Sequence, residues 1–234
     1  MINREIKMKK FVQGIMVTGT LLATSTSILA APVNWTDWTS ISGTTATGVL
    51  DGTTVTVTGT GALNGLSQTG TTGTNYWTEP NLTDPAYTSG TIDNAPTARE
   101  QVGLNTANSI TVTFGSAIEN LYMALLSVGQ PNYSVTYDFD QSFVIDSEGT
   151  GYWGNDATNG QVGANDTLTM SEFHGVLLFN APVSTMTFDT APGEYWHAFT
   201  FGSATSVPEP GSLILLGLGL AGFGFRLRKA KATV

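Results

Sequence analysis

Between Val33 and Ser206 the apolar positions tend to recur at every second residue, and no stretch repeats them at the three-to-four spacing of a helix. Thr45–Leu50 and Thr53–Thr58 are two Thr/Val-rich runs around Asp51-Gly52, a dipeptide that strongly favours a tight hairpin turn. Within the second run, residues 54–58 read Thr-Val-Thr-Val-Thr, and β-branched side chains suit a pleated, half-buried surface. Ser109–Phe114 alternates in the same way. Leu121–Val128 is apolar on both faces and predicts a central strand that is covered on each side. Further strands are predicted at Ser134–Phe139, Phe143–Asp146, Thr167–Ser171, Gly175–Phe179, Thr185–Asp189 and Trp196–Gly202. Many short strands separated by Gly, Pro and Asn turns predict an all-β fold, an antiparallel two-sheet β-sandwich that is jelly-roll-like. Residues 59–75, rich in Gly and Thr and low in charge, read as a long mobile loop, and 203–206 as a short linker.

The two ends follow other patterns. Residues 1–30 have the three parts of a secretory signal. Arg4, Lys7, Lys9 and Lys10 open it, the apolar stretch Phe11–Ala23 is too short to span a bilayer comfortably, and small residues close it. Signal peptidase is expected to cut after Ala30. The residues that follow, 31–206, form one acidic ectodomain. The tail, 207–234, also has three parts: Val207-Pro208-Glu209-Pro210, an apolar stretch Gly211–Phe225, and the basic cluster Arg226, Arg228 and Lys229. As a transmembrane helix the apolar part would be about 22 Å long, and flanking basic side chains can snorkel to make up the difference. Basic residues after the segment place the tail in the cytoplasm and the domain outside.

This tail resembles the PEP-CTERM sorting signal in its motif, its Gly/Leu-rich segment and its basic end, taken in that order. The resemblance covers about the last tenth of the chain. It implies an exosortase as partner, an integral-membrane protease-transpeptidase of Gram-negative bacteria that make exopolysaccharide. It also implies that Pro208, Glu209 and Pro210 form the recognition element. Two prolines hold that element extended and stop the helix from growing upstream. Ser109–Gly129 together with Gly175–Gly202 is similar to the β-sandwich ectodomains found ahead of such tails. Those domains mostly have no assigned activity, so the likeness bears on fold rather than function.

Charge narrows the partners. Once both ends are set aside, one basic residue, Arg99, faces sixteen acidic ones, a formal charge of −15 on 31–206. Such a surface repels phosphate backbones and argues against nucleic acid. It also repels anionic polymers unless divalent cations bridge the two. The absence of cysteine excludes disulfides, thiolate metal sites and a Cys nucleophile. Arg99 either pairs with Glu100 or another acid, or is buried and bidentate, in which case its loss would cost several kcal/mol.

Candidate chemistry comes from aromatic pairs and from acids. Tyr76-Trp77, Tyr152-Trp153 and Tyr195-Trp196 each set two large rings in succession, and on a strand one ring of each pair enters the core while the other meets solvent. Exposed rings can stack on sugars; buried ones fill core or cover sheet edges. Trp153, between Gly151 and Gly154, is expected to be exposed, and Trp153, Tyr152 and Trp196 are the candidate glycan-stacking residues. Asp138, Asp140, Asp156 and Asp166 fall in a Gly- and Asn-rich stretch and are the candidate calcium ligands, although a solvated acidic rim is the simpler reading of them. No nucleophile elbow, His-Glu-x-x-His helix or phosphate loop is present, and the only histidines are His174 and His197. The expectation is an exported, non-enzymatic surface or matrix protein associated with exopolysaccharide or biofilm. A calcium-assisted carbohydrate-binding module and a carbohydrate-active enzyme are the alternatives.

Overall fold

The computed structural model describes residues 30–204 except 64, 89–90, 98 and 155–159. The secretory segment, the whole sorting tail with Val207, Glu209 and Arg226, and the candidate ligand Asp156 lie outside the described residues. Ala30 is the first described residue. Fourteen strands and no helix make up the described part. In chain order they are β1 (Val33–Trp35), β2 (Asp37–Ser42), β3 (Thr45–Leu50), β4 (Thr53–Gly59) and β5 (Val102–Leu104). Next come β6 (Asn108–Ile118), β7 (Leu121–Val128), β8 (Val135–Phe139), β9 (Phe143–Glu148) and β10 (Gln161–Val162). The last four are β11 (Thr167–Met170), β12 (Phe173–Phe179), β13 (Val183–Ala191) and β14 (His197–Ala204).

The strands form two antiparallel sheets. The six-stranded sheet runs β1-β14-β7-β12-β9, with β5 also on β14, and the eight-stranded sheet runs β10-β11-β8-β13-β6-β4-β3-β2. From β6 to β9 successive strands alternate between sheets, and the pairs β6·β13, β7·β12 and β8·β11 are nested. This is the wrapping order of a double Greek key. The hairpin of β3 and β4 closes on Asp51-Gly52, both at positive φ (51° and 76°), the conformation that turn requires.

Alternation decides which side chains meet between the sheets. Val55, Val57, Ile110, Val112 and Phe114 from one sheet pack with Met123, Leu125, Leu177, Phe199 and Phe201 from the other. The opposite face of the eight-stranded sheet is polar, with Ser42, Thr45, Thr58, Thr111 and Thr187 in one cross-strand row and Ser40, Thr47, Thr56, Thr113 and Thr185 in the next. The six-stranded sheet differs. Its second face carries Tyr122, Ala124 and Leu126 of β7, Val176 of β12 and Ala198 of β14, all buried beneath Trp77, Ala86, Tyr87 and Ile92 of the β4–β5 connection.

That connection has no strand of its own, yet it is pinned along its length. Leu63 is fully buried in the core between the sheets, and Gln68 and Gln101 exchange backbone hydrogen bonds. Thr91 donates to Asp146 Oδ1 at 2.8 Å, Ser147 donates to the Ala86 carbonyl at 2.8 Å, and Asn94 bonds both backbone groups of Val33. Gly59 ends β4, and the described residues from 60 to 75 form a loop, as the composition predicts, but an anchored one, because side-chain and backbone groups replace the missing ladder.

Glu100 ties this cover to the sandwich. Its buried carboxylate accepts from the Trp38 amide at 2.6 Å and the Gly70 amide at 2.7 Å, while its carbonyl accepts from the Trp77 ring N–H. Burial pushes its carboxyl above the ordinary value of 4.5, although the two amide bonds oppose that shift. Arg99 is neither buried nor bidentate and does not pair with Glu100. It is exposed and donates once, to the Gly73 carbonyl at 2.8 Å. A guanidinium beside solvent-facing loop residues has no desolvation to offset, so the carboxylate, not the cation, is the buried polar anchor.

Two outcomes follow for melting experiments. Glu100→Ala strands the buried Trp38 amide and the half-buried Gly70 amide and should cost about 2–4 kcal/mol, whereas Arg99→Ala should change stability by less than about 0.5 kcal/mol. A raised folded value means that the stability contributed by Glu100 is complete below about pH 4.5 and is lost as pH rises through that raised value. The melting advantage of the wild type over Glu100→Gln should therefore narrow as pH rises above about 4.5.

Candidate functional site

The three aromatic pairs, scattered over more than a hundred residues of sequence, converge. Tyr76 comes from the β4–β5 cover, Tyr152 and Trp153 from the turn after β9, and Trp196 from the residue before β14. Trp153 stacks on Tyr76 with ring centres 5.1 Å apart and planes 20° from parallel. Tyr152 meets Tyr76 at 5.2 Å and Trp153 at 4.7 Å, both edge to face. Trp196 lies 5.1 Å from Trp153 and 5.4 Å from Tyr76. These separations and angles are those at which aromatic quadrupoles attract.

The cluster has a floor and a rim. Trp196 is buried and its ring N–H donates to the Gly65 carbonyl, so it supports the others and shows little ring face to solvent. Tyr152 and Trp153 are 44% and 47% exposed, and Tyr195, beside Trp196 in sequence, is 87% exposed. Trp77 and Trp196 are buried, Tyr76 is half-buried and Tyr195 is exposed, while Tyr152 and Trp153 both stay exposed. None of the three pairs lies in a strand, so strand alternation is not what sorts their rings. The hydroxyls of Tyr76, Tyr152 and Tyr195 and the ring N–H of Trp153 have no partner among the described residues.

The turn itself is held from below. Gly151 and Gly154 exchange backbone hydrogen bonds at 3.0 and 3.1 Å, and Gly154 takes φ of 100°, open to glycine and strained for other residues. Gly151 lies against the ring of His174, where any Cβ would collide. His174 is buried. The Ser127 amide donates to its Nδ1 at 3.4 Å, the Tyr87 hydroxyl lies 3.0 Å from the same atom, and Nε2 faces Glu172 at 3.3 Å. These partners put the ring proton on Nε2. Burial pushes the Tyr87 hydroxyl well above its ordinary value, and the charges of Glu79 and Glu172 add to the shift, so it remains a neutral strut. Just before the turn, the Thr150 amide and hydroxyl bond the carbonyl and carboxylate of Asp84.

His197, the other histidine, is also interior. Its Nδ1 lies 2.6 Å from Glu194 Oε1, which accepts from the Gly129 amide at 2.8 Å, and Tyr137 packs against the imidazole at 5.7 Å. Burial, with the Glu194 charge behind it, pushes the Tyr137 hydroxyl well up. Neither histidine opens onto the surface.

Three of the four candidate calcium ligands, Asp138, Asp140 and Asp166, lie among the described residues. Asp138 is exposed on β8, in register with Asp189 on one side and Thr167 on the other. Asp140 lies past the end of β8 and accepts from the Thr187 amide at 2.8 Å. Asp166 sits at φ of 59° just before β11, and its carbonyl accepts from the Phe139 amide. Among the described residues no group of three or more His, Asp or Glu side chains is arranged to hold a metal ion.

Tyr76 is the member of the site that the sequence did not single out for stacking. Its only signal is the Tyr-Trp dipeptide in a Gly- and Thr-rich stretch, and nothing local tells that it lies under Trp153. Comparison with known families finds one match, the PEP-CTERM protein-sorting motif, over residues 206–229. No curated protein and no solved structure matches the chain. The matched motif implies an exported, membrane-anchored precursor that an exosortase processes, with the Pro208-Glu209-Pro210 element inside the matched span.

Because a Cβ at Gly151 meets a buried ring held by Tyr87, Ser127 and Glu172, Gly151→Ala should destabilise the domain by about 2–4 kcal/mol. A thermal melt measures this. Acrylamide quenching should in addition assign most of the accessible tryptophan emission to Trp153, so that Trp153→Phe removes the quenchable fraction.

Proposed function

We propose that the mature protein is a non-enzymatic component of the cell surface or extracellular matrix, delivered through its sorting tail and associated with exopolysaccharide. The observation that carries this reading is the sorting motif, which begins two residues after β14 ends at Ala204. Strand β14 pairs with β1 in antiparallel register, Val33 opposite Ala204, so the two ends of the ectodomain leave the sandwich side by side. Removal of a leader at one end and a tail at the other therefore deletes no strand from the described fold. The ectodomain attaches at one pole. The start of β14, where Trp196 sits, is about 23 Å away along an eight-residue strand. A −15 domain held this way stays soluble and well separated from its neighbours.

Intact mass of the protein recovered from the native envelope and medium tests the reading. The expected product ends near Pro208–Pro210, and it co-fractionates with exopolysaccharide in the parent but not in a strain unable to make that polymer. Glu209→Ala should accumulate as precursor. A recovered protein that retains Gly211–Val234 would make the tail a plain anchor and remove the exosortase step.

A further inference from the structure

We propose that the Tyr76–Tyr152–Trp153 cluster, floored by Trp196, is a binding platform for an uncharged glycan chain. The pyranose ring of a neutral sugar has a C–H face that packs on an aromatic plane and a rim of hydroxyls that needs hydrogen-bond partners. The cluster offers both. Trp153 and Tyr152 leave nearly half their surface in water, and the Tyr76 and Tyr152 hydroxyls and the Trp153 ring N–H have no hydrogen-bond partner among the described residues.

The platform is preorganised. Trp153 is stacked on Tyr76, Trp196 is locked to the Gly65 carbonyl, and the turn is seated on buried His174. Little side-chain entropy is left to lose when a ligand lands, which favours affinity. Charge selects the ligand. The only cation of the ectodomain, Arg99, is engaged with the Gly73 carbonyl, and sixteen acids set the field, so a polyuronate or sulfated chain is repelled. Position gives the site access. Trp196 and Ala204 lie at opposite ends of β14, so the platform faces away from the attached pole. Only this last step rests on the surface placement proposed above; the chemistry of binding does not.

The test uses the full-length chain in a polyoxyethylene detergent, which carries no sugar, and calorimetric titration with hexaoses of glucose, mannose, galactose and xylose. An oligouronate is the anionic control. At least one neutral hexaose should bind, with a blue shift of Trp153 emission, and the oligouronate should not. Trp153→Ala should weaken binding by about tenfold or more while the melting temperature stays near that of the wild type, and Trp153→Phe should recover part of the affinity. If Trp153→Ala unfolds, Trp153→Phe and Tyr152→Ala carry the test, each expected to bind more weakly than wild type. The platform is overturned if no neutral hexaose binds, if the oligouronate binds as tightly, or if the substitutions leave affinity unchanged. These outcomes are independent of the mass of the mature protein, so loss of binding with correct processing removes the platform alone, and misprocessing with intact binding removes the sorting scheme alone.

Discussion

The six-stranded sheet is apolar on both faces, and that constraint shapes the rest of the molecule. A sandwich buries only one face of each sheet. Tyr122, Ala124 and Leu126 of β7 would otherwise meet water, at a cost of about 25 cal/mol for each square ångström of apolar surface left uncovered. The chain answers with the β4–β5 connection, which lays Trp77, Ala86, Tyr87 and Ile92 over that face. The eight-stranded sheet needs no such cover, because its outer rows are Ser and Thr.

A cover without strands has no ladder to satisfy its backbone, and each buried amide or carbonyl must find another partner. The partners come largely from side chains. Glu100 takes the Trp38 and Gly70 amides, Asn94 takes both groups of Val33, Glu79 takes the Tyr87 amide, and Ser147 takes the Ala86 carbonyl. Several of these bonds join residues about sixty apart in sequence, so the cover depends on the sandwich beneath it for its order. The same logic places His174. It is a polar post between the cover, through Tyr87, and the Gly151–Gly154 turn, and it holds the aromatic cluster where the cover meets the sheet. The cluster is thus a by-product of covering the second face: Tyr76 belongs to the cover, and Trp153 and Trp196 to the loops that border it.

Legibility followed the range of the physical signal. Strands β3 and β7 were readable to their end residues, since period-two alternation and the Asp-Gly turn are local and Leu121–Val128 is continuously apolar. Strand β2 escaped because a register shift between Trp38 and Ser40 breaks its alternation. Strands β1, β5 and β10 escaped because two or three residues carry no period. The exposure of Trp153 was legible from its glycine neighbours, whereas the burial of Trp196 was not. Arg99 stood out as the one cation of the ectodomain, but rarity in composition says nothing about burial, and the anchor is its neighbour Glu100.

The sequence by itself determined the fold class, the doubly buried central strand, the acidic surface and the sorting tail, because each is written in contiguous residues: alternation, an apolar run, net charge, a short motif with its apolar segment and basic end. Tertiary structure alone decided that the 60–101 segment is a cover rather than a free loop, and that Tyr76, Trp153 and Trp196 form one cluster. Those outcomes depend on which faces meet after two sheets have wrapped around each other. Residues from three separate segments then share one site, and no local pattern along the chain records their meeting.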